Sequence, residues 1–177
     1  MNIIIRALLY LVVAVLSFYS FSAYADMNRS CSLRGPYGYL YNGTSYSGSG
    51  SVPLTETGFF TITNDGSLSG EGTLAFYFSD FGGSGKPLWL LIHEVQSNGA
   101  VTQDNNTCTG TLEFLATGTV LKTSDPNLVP EGTVLFTDSP RSIAYTINGT
   151  GEESVDMVST SPGTIASGTA HKQKMRH

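Results

Sequence analysis

From Gly35 onward the chain alternates. Apolar and small polar residues exchange places every second position, and the alternation is interrupted only by short clusters of Gly, Asn, Asp, Ser and Pro. No stretch of this region holds a 3.6-residue apolar stripe free of Gly, Pro or β-branched residues. A period of two places side chains on opposite faces of a strand, whereas a helix needs a period near 3.6. The pattern therefore predicts an all-β chain built from hairpins. "GPYGYLYNG" sets Tyr37, Tyr39 and Tyr41 on one face, and "SYSGSGS" after it reads as a Gly/Ser-rich linker or mobile loop. "VPLTETGFFTIT" places Phe60 and Ile62 together, and "NDGS" supplies residues that tolerate a positive φ in a tight turn. "SLSGEGTLAFYFSD" returns with Leu74, Phe76 and Phe78 on one side, so residues 51–80 form one hairpin of a wall.

After a turn at "FGGSGK", "PLWLLIHEVQ" is the most apolar strand, and "SNGA" is expected to turn it. The next segment carries Leu112, Phe114 and Ala116 on one face. "KTSDPNLVPE" reads as a loop. "GTVLFTD" and "SIAYTING" read as a hairpin across Ser139–Pro140, with Ile143, Tyr145 and Ile147 sharing a face. "SVDMVST", a Ser161–Pro162–Gly163 turn and "TIASGTAHK" finish the series. About eight or nine antiparallel strands in meander order must hide their edges, and closure into a barrel does so completely. Gly58, Gly70, Gly72, Gly110, Gly118, Gly132 and Gly168 fall in or beside strands, where they permit the coiling a small barrel needs. The expected architecture is one closed up-and-down barrel of about eight strands, with a two-sheet sandwich as the alternative.

The first residues have a different composition. Arg6 precedes an uncharged apolar run from Ala7 to about Phe21, and Ala23 and Ala25 flank Tyr24 in the A-x-A pattern of a signal-peptidase site. This predicts a leader over 1–25, cleaved between Ala25 and Asp26, and a barrel domain over 26–177. The run is shorter than the roughly 20 residues of a membrane span, which is the competing reading. Cys31 follows Asn28–Arg29–Ser30 and lacks the apolar context of a lipoprotein site. The leader would take Arg6 with it. The remaining 152 residues would then carry eight basic residues against fourteen acidic ones, a net charge of −6.

Scattered acids and the absence of a basic stripe argue against nucleic acid as a partner. The terminal "HKQKMRH" reads as a solubilising tail. Export, periplasmic or extracellular, implies an oxidising compartment in which Cys31 and Cys108 can pair across about 77 residues. Two free thiols or a metal site are the alternatives, although two cysteines without close spacing or a nearby His are a poor metal signal. Sequons begin at Asn28, Asn42, Asn105 and Asn148 and bear on the protein only in a eukaryotic secretory pathway.

Four strings in order carry a resemblance: "CSLRGPYGYLYNG", "TGFFTITNDGSLSGEGT", "CTGTLEF" and "SGTAHK". The chain resembles the secreted bacterial proteins of the allene oxide cyclase barrel-like fold. Their pattern runs "L-x-G-x-Y-G-F", "G-x-x-x-x-D-G-x-G-x-L-x-G", "D-C-x-G-T-L" and "G-T-x-x-K". Pro36 replaces the usual small residue before the Tyr, and Thr107 stands where the family carries Asp. The resemblance implies export and a lipocalin-sized antiparallel barrel. The plant cyclases of that fold use a barrel-lining Glu beside Asn, Pro, Tyr and Cys around an apolar cavity. No Glu occupies the first strand here, so that role transfers to no position.

No G-x-S-x-G elbow, metal-ligand cluster, phosphate loop or cofactor motif is present; the histidines lie at 93, 171 and 177. His93 and Glu94 form the best acid–base pair by composition, but strand neighbours face opposite ways. Glu94 is expected in water, with His93 a hydrogen-bonded wall residue; a Glu94 turned inward would gain a raised pKa suited to acid work. Glu113 is expected on the surface. Tyr37, Tyr39 and Tyr145 are candidate ligand contacts, as are His93, Glu94 and Trp89, the last as a pocket cap or a core residue.

Three functions remain. The first is an exported barrel binding a small hydrophobic or amphipathic molecule in its lumen. The second is a cyclase or isomerase using an apolar pocket. The third is a solid barrel acting through its surface in the envelope. The balance leans away from an enzyme, and no cofactor and no membrane span after leader removal are expected.

Overall fold

The computed structural model describes residues 31–47, 50–83, 85–148 and 154–174; the expected leader over 1–25 and its Ala25–Asp26 cleavage site lie outside them. Eight strands follow in order: β1 (Gly35–Ser47), β2 (Gly50–Ile62), β3 (Ser67–Phe78), β4 (Leu88–Asp104), β5 (Thr109–Thr123), β6 (Val134–Asn148), β7 (Ser154–Ser159) and β8 (Thr164–Lys172). Each pairs antiparallel with the next, and β8 returns to β1, from Tyr37 opposite Lys172 to Ser45 opposite Thr164. The sheet is a closed up-and-down barrel, which sets the sandwich aside and pairs every strand on both sides over at least part of its length.

Alternate residues of every strand fill the lumen. Tyr37, fully buried, stacks on Phe60 with ring centroids 5.4 Å apart. Around them lie Leu33, Ile62, Leu68, Leu112, Tyr145, Val155 and Met157. One end is plugged by the segment before β1. Leu33 is buried there, its N–H donates to Gln103 Oε1 at 3.1 Å, and Cys31 is disulfide-bonded to Cys108 beside the β4–β5 turn, with Cα atoms 5.3 Å apart.

One expected loop and two expected turns lie mostly or wholly within strands. "SYSGSGS" mostly extends β1 and β2, whose pairing runs to Ser47 opposite Gly50. "SNGA" is a bulge inside β4: Asn98 takes φ 51°, the register to β5 slips between Ser97 and Ala100, and the strand continues to Asp104. A bulge absorbs the extra residue that turn chemistry otherwise spends on reversing the chain. Ser139–Pro140 lies within β6, where Pro140 pairs with Leu115. β7 is short and meets β6 only from Ile143 to Asn148. The first half of β6 therefore behaves as a local edge, where a residue without an N–H is tolerated.

That short β7 also shapes the other end of the barrel. Beyond its ladder to β7, β6 is held on that side through Ser142: Thr160 N–H donates to Ser142 O at 2.9 Å, Ser142 N–H to Ser161 Oγ at 2.8 Å, and the Thr160 and Ser161 hydroxyls donate to Ser142 Oγ and O. The seam exposes the lumen between Arg141 and the β7–β8 turn.

Candidate functional site

The lumen holds five polar side chains that the strand pattern forces inward. In β2, Leu54, Glu56, Gly58, Phe60 and Ile62 share one parity, so Glu56 points where Phe60 and Ile62 point. In β4 the inward set is Leu88, Leu90, Ile92, Glu94 and Gln96; Glu94 is 2% exposed and Gln96 5%. Tyr39 comes from β1 and Arg141 from β6, opposite Phe114 of β5.

These groups form one network. Tyr39 Oη donates to Glu56 Oε1 and accepts from the Gln96 amide at 2.9 Å. The same amide reaches Glu94 Oε1 at 3.4 Å. The Glu56 and Glu94 carboxyls line the same cavity, and the charge of Glu94 acts on Glu56, so the two titrate as a linked pair. Arg141 Nη2 stands 4.0 Å from Glu94 Oε2, with its guanidinium 5.1 Å from the centre of the Phe136 ring. Burial, and then the Glu94 charge, push Glu56 up to about 7. Burial also raises Glu94, against the pull of Arg141. Burial and the neighbouring Glu56 charge raise the Tyr39 hydroxyl, which stays neutral.

Glycines make the space. Gly58 and Gly72 pair across β2 and β3, and a Cβ on Gly72 would lie 2.4 Å from Tyr39 Oη and 3.2 Å from Glu56 Oε1. Gly72→Ala must push the Tyr39 hydroxyl off Glu56. Overpacking of this kind costs about 1–3 kcal/mol, and the expected loss is read as a lower midpoint in urea unfolding.

Two small cavities touch the network, and a wider groove of about 420 Å³ meets it at Arg141. One of about 60 Å³ is lined by Tyr41, Glu56, Glu94, Arg141, Phe76, Phe114 and Ser159, among others, and reaches the seam at Ser161 and Thr164. One of about 20 Å³ lies deeper, against Tyr39, Gln96, Leu112 and Met157, and shares Tyr41, Glu56, Phe114 and Ile143 with the first. A buried water needs roughly 10–15 Å³ by this measure, so the larger space admits a few waters or a small head group. Most of the lumen is filled by side chains. Tyr41 lines both cavities. Among the described residues its Oη is the one buried side-chain polar atom that closes no hydrogen bond of normal geometry, the Ser159 hydroxyl being a group that interacts with it. Burial pushes this hydroxyl up to about 12.

The other candidates are spread around the wall. Tyr37 is sealed in the core. Tyr145 is buried with its hydroxyl on Thr102 O at 3.2 Å, towards the plugged end and away from both cavities. His93 faces outward and meets Glu71 Oε2 at 3.2 Å, a hydrogen-bonded wall residue as expected. Trp89 neither caps a pocket nor joins the core: it is 46% exposed, on the outer face opposite Tyr77. Glu113 is exposed. The expectation that Glu94 faces water is overturned. "LWLLIHEV" is apolar on both parities, so the sequence does not say which face turns inward. Glu56, Gln96 and Arg141 escaped the sequence reading. Parity with Phe60 was the available signal for Glu56. Gln96 and Arg141 were hidden by the turns assigned beside them.

Among the described residues no group of three or more His, Cys, Asp or Glu could hold a metal ion, and no helix is long and apolar enough to cross a membrane. Comparison of the chain with protein-family models, curated proteins and solved structures returns no match.

Proposed function

We propose that this is an exported barrel that binds a small amphipathic molecule, its polar head in the lumen cavity and its apolar part towards the seam beside β7. The observation that carries this reading is Tyr41 Oη, buried without a hydrogen bond of normal geometry on a cavity it shares with two carboxylates and a guanidinium. A buried polar group left unpaired costs about 1–3 kcal/mol, and a ligand atom that satisfies it recovers that cost. Apolar walls from Leu54, Leu74, Phe76 and Ile143 suit the rest of such a molecule. Export is supported by the leader-like N-terminus and by the Cys31–Cys108 disulfide.

Native mass spectrometry of protein purified from its own source tests the binding. Wild type is expected to carry a small organic adduct, and Ser159→Phe, which fills the larger cavity, to lack it. A ligand-free wild type, or an adduct indifferent to Ser159→Phe, contradicts the reading.

A second reading is favoured by Glu56, a carboxyl held near pH 7 beside a cavity. It is an isomerase that moves a proton on its bound ligand, since a group titrating near the working pH is suited to acid–base transfer. Deuterium from solvent appearing on carbon in the released ligand distinguishes turnover from binding alone.

A further inference from the structure

We propose that the head group taken by this lumen is a primary ammonium, held by Glu56, Glu94 and Tyr41 Oη; the proposal rests on the lumen-binding reading and names its ligand class. The charges inside the barrel do not balance. Glu56 and Glu94 face a single cation, Arg141, with Tyr39 and Tyr41 neutral, and β3 contributes only Gly72, Leu74 and Phe76 to this region. When both carboxyls ionise, one negative charge is left in a largely dehydrated space, and it requires either a proton or a second cation.

The Gln96 amide and the Tyr39 hydroxyl are already used within the network. Hydroxyls of Ser45, Ser159 and Thr164 also line the cavity of about 60 Å³, and the two carboxyls and Tyr41 Oη bring their lone pairs to it. An ammonium has three donors and no acceptor, so it suits the carboxyl oxygens and the Tyr41 lone pairs. The Phe76 and Phe114 rings on the same cavity suit the first methylenes and the cation itself. A carboxylate or phosphate head would meet two like charges. With two carboxylates, and Arg141 beside one of them, the site also lacks the ligand set of a divalent metal.

Binding is an exchange of cations. The ammonium enters already charged, the proton on Glu56 leaves to solvent, and no covalent bond other than that O–H is broken. Hexylamine, hexanol and hexanoate, each titrated calorimetrically into the full oxidised chain at pH 6 and pH 8, test this. Hexylamine is expected to bind more tightly than the other two, by about tenfold more at pH 8 than at pH 6, and to release a proton at pH 6. Glu56→Gln, whose amide mimics the protonated acid, should lose the amine preference and the pH dependence; Tyr41→Phe should weaken hexylamine binding several-fold. Hexanol or hexanoate binding as well as hexylamine, or an amine affinity indifferent to pH and to Glu56→Gln, overturns the ammonium assignment and leaves lumen binding standing. Failure of all three probes to bind overturns both.

Discussion

A chain carrying Cys31→Ala and Cys108→Ala is expected to unfold about 4 kcal/mol more easily than the oxidised protein, because the disulfide closes a loop of 77 residues and restricts the unfolded chain. Without it, the unfolded ensemble regains that freedom while the barrel ladders stay intact. The cross-link also acts locally. It fastens the segment carrying Leu33, which plugs one end of the lumen, to the β4–β5 turn. For a domain of this size the loss corresponds to a melting temperature lower by roughly 10 °C. Urea unfolding followed by circular dichroism, on the oxidised, reduced and doubly substituted chains, measures it. Reduced and substituted chains should agree. A loss below about 1 kcal/mol would mean that the unfolded chain stays compact around these residues without the cross-link.

The second large effect is a stability that falls as pH rises. Glu56 sits at about 7 in the folded barrel, against an ordinary carboxyl value of 4.5. Between those values the folded state holds a proton that the unfolded state has released. Its contribution is therefore complete below about pH 4.5, declines as pH rises, and is gone above about 7. Glu94 is raised as well and acts in the same direction, while Arg141 moderates it. Asp65, on the exposed β2–β3 turn, is lowered by its bonds to Thr63 and Ser67, and its opposite effect lies at acid pH, outside this window. From pH 5 to pH 8 the expected loss is about 1–3 kcal/mol. Glu56→Gln should flatten the slope and be more stable than wild type at pH 8, since it keeps the neutral form that the site prefers. Denaturant titrations of both chains at the two pH values check this; an unchanged slope in the variant would show that solvent, and not Glu94, surrounds the Glu56 carboxyl.

Alternation alone determined much of this protein. The β class, the positions of most strands, the tight turn at Asn64–Asp65–Gly66 and the common face of Tyr37, Tyr39 and Tyr41 all follow from a period of two and local turn chemistry. Alternation says that a strand has two faces, however, not which one is inside. Where both faces are apolar, as in β4, or where a carboxyl shares a parity with aromatics, as Glu56 does with Phe60, the choice belongs to the neighbouring strands. Gly72 leaves room for Tyr39 Oη, Tyr39 bonds Glu56, and Arg141 arrives from β6 to meet Glu94, contacts between residues 17 to 47 positions apart. Asn98–Gly99 and Ser139–Pro140 carry turn chemistry that local sequence cannot distinguish from a bulge or a strand beside a gap. Only the pairing of β4 with β5 and the short reach of β7 decide it. Closure itself is the extreme case. The ladder between β1 and β8 joins the two ends of the described chain, and its hydrogen bonds lie in the backbone, where side-chain pattern leaves no mark.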